Sequence, residues 1–110
     1  MNLNNKKIDV LGTTYTLLED TSINNPKLIK NRAYFEPYSK KIVYELPNIQ
    51  EVENVEKIDE FNQKIIRHEI IHTFFYESGL KDYGNDEVLV DWIASQFPKI
   101  VKVFQKLKIE

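Results

Sequence analysis

The 110-residue chain has two histidines. They stand one helical turn apart with a glutamate after the first, as His68-Glu69-Ile70-Ile71-His72. Residues four apart share a helix face, so both imidazoles can reach one ion. Glu69 cannot bind that ion in the same geometry. It can stand beside a water on the metal and accept its proton, because zinc lowers the pKa of such a water to about 7. The spacing therefore points to zinc-assisted hydrolysis, with His68 and His72 as ligands and Glu69 as general base. At background frequencies of roughly 2% for His and 6% for Glu, a chance match in a chain this long falls below about 1%. The flanking Ile66, Ile70, Ile71, Thr73 and Phe74 are uncharged. Two imidazoles in so apolar a helix are costly to bury unless each finds a partner, and a metal supplies one.

A catalytic zinc needs a third protein ligand and an open position. With no cysteine and no further histidine, that ligand must be a carboxylate. Glu77, five residues beyond His72, lies about 140° round the same helix and faces away. Asp82 and Asp86 fall in or beside the following loop and stay open as ligands, although Asp86 also suits a helix first turn, where the dipole favours a negative charge. Glu87 and Asp91 are four apart and interrupt the apolar run of Val88, Leu89, Val90, Trp92 and Ile93. Ala94 continues their stripe, small enough for a close helix approach. The pair suggests a division of labour: Glu87 binds the metal, and Asp91 accepts the free ring N–H of a ligand histidine, fixing its tautomer.

The elements that position these residues divide the chain in two. Residues 1–50 read mainly as strands. Lys7-Ile8-Asp9-Val10 and Tyr15-Thr16-Leu17 alternate about Gly12 as a hairpin. After the loop signal Asn24-Asn25-Pro26, Ala33-Tyr34-Phe35 and Lys41-Ile42-Val43-Tyr44-Glu45-Leu46 form a second hairpin, with Ile42, Tyr44 and Leu46 on one face. Pro47 should end it. Residues 55–79 form the active-site helix, running from about Val55 to Ser78, apolar on nearly every side beyond Ile65 and hence buried, with Gly79 as its cap. Residues 86–109 supply the ligand helix, broken or kinked by Pro98, and then a C-terminal helix from Lys99. Its stripe of Ile100, Val103, Phe104 and Leu107 should complete the core. The fold class expected is α+β, with a small, mostly antiparallel sheet packed on the active-site helix in a single domain spanning 1–110.

Bulk properties exclude other classes. A net charge of −2 with scattered lysines gives no phosphate-binding footprint, so nucleic acid is not an expected partner. The apolar clusters are too short to span a bilayer, and the polar N-terminus leads into no signal-peptide stretch. The absence of cysteine suits a cytoplasmic protein.

The motif with a later E-x-x-x-D resembles the gluzincin pattern of zinc peptidases. Glu87-Val88-Leu89-Val90-Asp91-Trp92-Ile93-Ala94 is similar to the E-x-x-A-D-x-F-A signature of several gluzincin branches, with Val90 in place of the alanine. Together with Arg67 to Leu80 it looks like the short phage- and prophage-borne proteins grouped near the ImmA/IrrE-like metallopeptidases and minimal gluzincins. The resemblance covers roughly residues 65 to 98. It implies a zinc ion on His68, His72 and Glu87, with Glu69 as base, Asp91 behind a histidine, and a sheet edge lining the cleft. The expected function is metallopeptidase action on a peptide or protein substrate. The alternative is a zinc-binding regulatory or interaction module with little proteolytic activity. Ile42 to Leu46 is the candidate edge strand for an extended substrate. Tyr76, Tyr83, Tyr44 and Tyr38 are available to hold an oxyanion, though packing is the commoner role for such rings.

Overall fold

Alternating apolar residues in the first half, and residues at helical spacing in the second, become a four-stranded sheet and three helices. The computed structural model describes residues 2–46 and 55–110. Strands β1 (Lys7–Val10) and β2 (Thr13–Glu19) form the first hairpin, and β3 (Ala33–Glu36) and β4 (Lys41–Tyr44) the second. The helices are α1 (Val55–Glu77), α2 (Lys81–Gly84) and α3 (Glu87–Leu107). The sheet order is β1-β2-β4-β3. Both hairpins are antiparallel, while β2 and β4 run parallel, with Leu17 opposite Ile42. The α+β architecture and the mostly antiparallel sheet agree with the sequence reading.

The parallel pairing corrects one expectation. Because β4 lies between β2 and β3, the stretch Ile42 to Leu46 is not an edge, and the strand stops at Tyr44. Among the described residues the edges are β1 and β3. Pro47, expected to end the strand, lies outside the described residues. An interior position also explains burial on both faces of β4. Ile42 and Tyr44 join Val10, Tyr15, Leu17, Ala33 and Ile66 in the main core, while Val43 on the other face is buried too, as is Leu28 of a single 3₁₀ turn.

Helix α1 lies against the sheet through Ile66, with Ile65 and Ile70 beside it. It is less enclosed than its composition suggests, since Phe61 and Phe74 are exposed. Its end follows the expected cap. Gly79 takes φ +75°, the Gly79 N–H donates to the Tyr76 carbonyl, and the Leu80 N–H donates to that of Phe75. This pair of bonds closes a helix on a left-handed residue. The turn into α2 brings Gly84 against α1 so closely that a Cβ there would lie 2.9 Å from the Cβ of Phe75.

Helix α3 begins at an N-cap, Asp86, whose side chain accepts from the Leu89 N–H. It then runs unbroken through Pro98 to Leu107, so the expected break is absent. Proline lacks the N–H that would bond the carbonyl four residues back, that of Ala94. Arg67 of α1 fills the gap: its Nε donates to the Ala94 oxygen at 2.9 Å. Ala94 and Val90 are fully buried where the two helices meet. The C-terminal stripe does not complete the core, because Val103, Phe104 and Leu107 are all exposed. Among the described residues no helix is long and apolar enough to cross a membrane.

Candidate metal centre

Helix α1 presents His68 and His72 on one face, and the first turn of α3 brings Glu87 to them. His68 Nε2 lies 2.9 Å from one Glu87 oxygen, and His72 Nε2 lies 3.1 Å from the other. The two Nε2 atoms are 3.1 Å apart. Among the described residues these three are the group whose donor atoms converge closely enough to hold a metal ion.

The donor set itself fits a cation. If both Nε2 atoms carried protons to satisfy the carboxylate, two N–H groups would face each other at hydrogen-bond distance. If only one did, the other Nε2 would face a Glu87 oxygen acceptor to acceptor, and if neither did, three acceptors would converge with nothing between them. Donors about 2.0–2.2 Å from one ion at tetrahedral angles stand about 3.3 Å apart, close to the observed triangle. Metal binding also requires neutral rings. Burial lowers the His72 pKa below its usual 6.5, partly offset by the Glu87 charge.

The His72 ring is steadied from behind. The backbone of Gly84 interacts with the His72 ring and favours its protonated form. Phe35 of β3 stacks on the same ring, with centroids 5.7 Å apart and planes 16° from parallel. Behind His68, an Asp91 oxygen stands 3.7 Å from Nδ1, beyond hydrogen-bond length. The closer partner of that carboxylate is Lys64 Nζ, at 3.2 Å. Asp91 thus stands beside the ring without the hydrogen bond expected from the sequence, and its ion pair is with a lysine.

Glu69 is buried at 8% exposure and lines a cleft of about 650 Å³ together with His72, Glu87, Phe35 and Tyr76. Burial raises its pKa to about 7, and the negative charge of Glu87 pushes the same way.

The other candidates are committed elsewhere. Asp86 caps α3. Glu77 accepts from Thr13 Oγ1 and Tyr15 OH, both at 2.7 Å, and from Lys40 Nζ at 3.2 Å. Asp82 lies in α2, outside the converging group. Of the tyrosines, Tyr44 is fully buried in the core and is unavailable to a ligand. Tyr38 and Tyr76 line the cleft, as does Tyr34, while Tyr83 is not among the lining residues. Phe35 and Gly84 went unnoticed in the sequence. For Phe35 the alternation with Ala33 was a usable signal, because it turns that ring to the face on which α1 packs. No family model matches the chain, and no curated protein or solved structure matches it either.

Proposed function

We propose that the protein is a zinc-dependent peptidase whose ion is held by His68, His72 and Glu87. The observation that carries this is the convergence of two Nε2 atoms and a carboxylate within 4.8 Å, with Glu69 lining the adjoining cleft. A bound zinc ion supplies Lewis acidity toward water and toward a carbonyl oxygen. Glu69 takes the proton of the attacking water and hands it to the leaving nitrogen. Its carboxylate is fixed for this by helix α1, one residue from His68. Phe35 and the Gly84 backbone hold the His72 ring, and Asp91 faces that of His68. Strand β3, an edge of the sheet among the described residues, lies beside the cleft, and an extended peptide pairs there as an added strand. A cytoplasmic setting belongs to the same reading, since the cysteine-free composition suits it.

The test is zinc content per chain alongside peptide cleavage. Glu87→Ala is expected to lose bound zinc while remaining folded, because its side chain is 67% exposed. Glu69→Gln is expected to keep zinc and lose cleavage by about 10²–10⁴-fold. Full zinc in Glu87→Ala sinks the ligand assignment. If zinc-loaded wild type cleaves nothing and Glu69→Gln retains the biological effect, a zinc-dependent interaction module replaces the peptidase.

A further inference from the structure

Helix α3 carries more apolar surface than α1 covers. Ile93, Phe97, Ile100, Phe104 and Leu107 recur at alternating steps of four and three, the spacing by which one helix packs along another. In the first half of α3, Val90 and Ala94 are fully buried. Toward the C-terminus the cover ends, and Phe97, Val103, Phe104 and Leu107 are exposed. A continuous apolar stripe left open on a folded domain marks a place of association.

The charges beside this stripe have one sign. Every charged residue from Lys99 to Lys108 is a lysine, namely Lys99, Lys102, Lys106 and Lys108, in a chain whose net charge is −2. At about 100° per residue, Lys99 and Lys106 fall on one side of the stripe and Lys108 on the other. None of the four makes an ion pair among the described residues. A second copy of the chain would bring the same lysines to the contact, a like-charge juxtaposition that opposes binding. A flat anionic bilayer would also meet Glu60 of α1, which lines one groove together with Lys99 and Lys102. A single helix, about 10 Å wide, can follow α3 without covering its neighbour.

We infer that the C-terminal half of α3 is a docking face for an amphipathic helix of another protein. The apolar side of that helix lies on the stripe, and its glutamates or aspartates meet the lysines. Glu87 stands at the opposite end of α3, about 30 Å from Leu107 along the axis, so the docked helix leaves the metal centre and its cleft open. The inference does not rest on the peptidase reading.

The test uses the full chain and a fluorescein-labelled synthetic helix of three heptads, with leucine at both apolar positions and glutamate beside them, read by anisotropy. A counterpart carries lysine in place of every glutamate. The glutamate helix is expected to bind about tenfold or more tightly than its counterpart at low salt, and to lose that advantage as salt rises. Phe104→Ser and Leu107→Ser should each weaken it about fivefold or more. The double variant Lys99→Glu, Lys106→Glu should reverse the preference between the two helices. All these positions are exposed, and circular dichroism checks that the variants fold. Equal affinity for the two helices overturns the inference, as does no binding of the glutamate helix at about 100 μM. Light scattering that shows a wild-type dimer and a Phe104→Ser monomer assigns the face to a second copy and overturns it too. Binding to phosphatidylserine vesicles that Leu107→Ser abolishes, with neither helix bound, assigns the face to a membrane with the same result.

Discussion

Glu77 sits in the last turn of α1, where a carboxylate opposes the helix dipole. Its side chain is nevertheless only 12% exposed. What holds it there is the Tyr15 hydroxyl first, then Thr13 and Lys40, and these partners lower its pKa below the ordinary 4.5. A carboxyl depressed on folding contributes stability that is complete above its unfolded value and is lost as pH falls through the folded one. Glu77→Gln should therefore cost about 1–2 kcal/mol at pH 7. Urea unfolding at successively lower pH should show that gap shrinking below pH 4.5. A gap that stays constant down to pH 3 would rule out the charge as its source. At this scale the spacing of His68, Glu69 and His72 is legible because it lies within one helical turn. That Glu77 faces away from the histidines is legible too. The partners of Glu77 come from β2 and the β3–β4 turn, more than thirty residues distant, and no local pattern announces them.

The hairpins show how much of an element is written locally. Gly12 marks the first turn, yet Leu11 beside it also takes a left-handed conformation, φ +52°. A non-glycine residue in that region is strained by about 1–2 kcal/mol, and two-residue turns with both φ values positive favour Asn-Gly. Leu11 is 59% exposed, so Leu11→Asn gives up little packing and should stabilise the protein by about 1 kcal/mol, measured as a higher urea midpoint at unchanged slope. No gain would mean that the turn relaxes in solution. Strand order is harder to read. Alternation identified both hairpins but could not say that β4 would lie parallel to β2, because the pairing is made across the intervening loop. Helix α3 teaches the same point. A proline removes a bond from its own helix, and whether the helix survives depends on a donor from another one.

At the scale of the molecule, amphipathic spacing shows that a helix has an apolar face but not that something covers it. The stripe of α3 was expected inside, and Phe104 and Leu107 are exposed at 42% and 60%. Phe104→Ser should accordingly change stability by no more than about 0.5 kcal/mol. Ile42→Ala, from the core, should cost about 2–5 kcal/mol. Comparable losses in the two variants by urea denaturation would contradict the exposed face. The same helix carries Glu87 and Asp91 one turn apart, so sliding α3 along α1 by about 5.4 Å would exchange one carboxylate for the other beneath the histidines. Pro98 is the proline within α3, and it opens one carbonyl for Arg67 to enter. That opening acts as a notch for a key. With Arg67 seated at that carbonyl, the register of the two helices sets the longer glutamate arm, and not the shorter aspartate, against the two imidazoles.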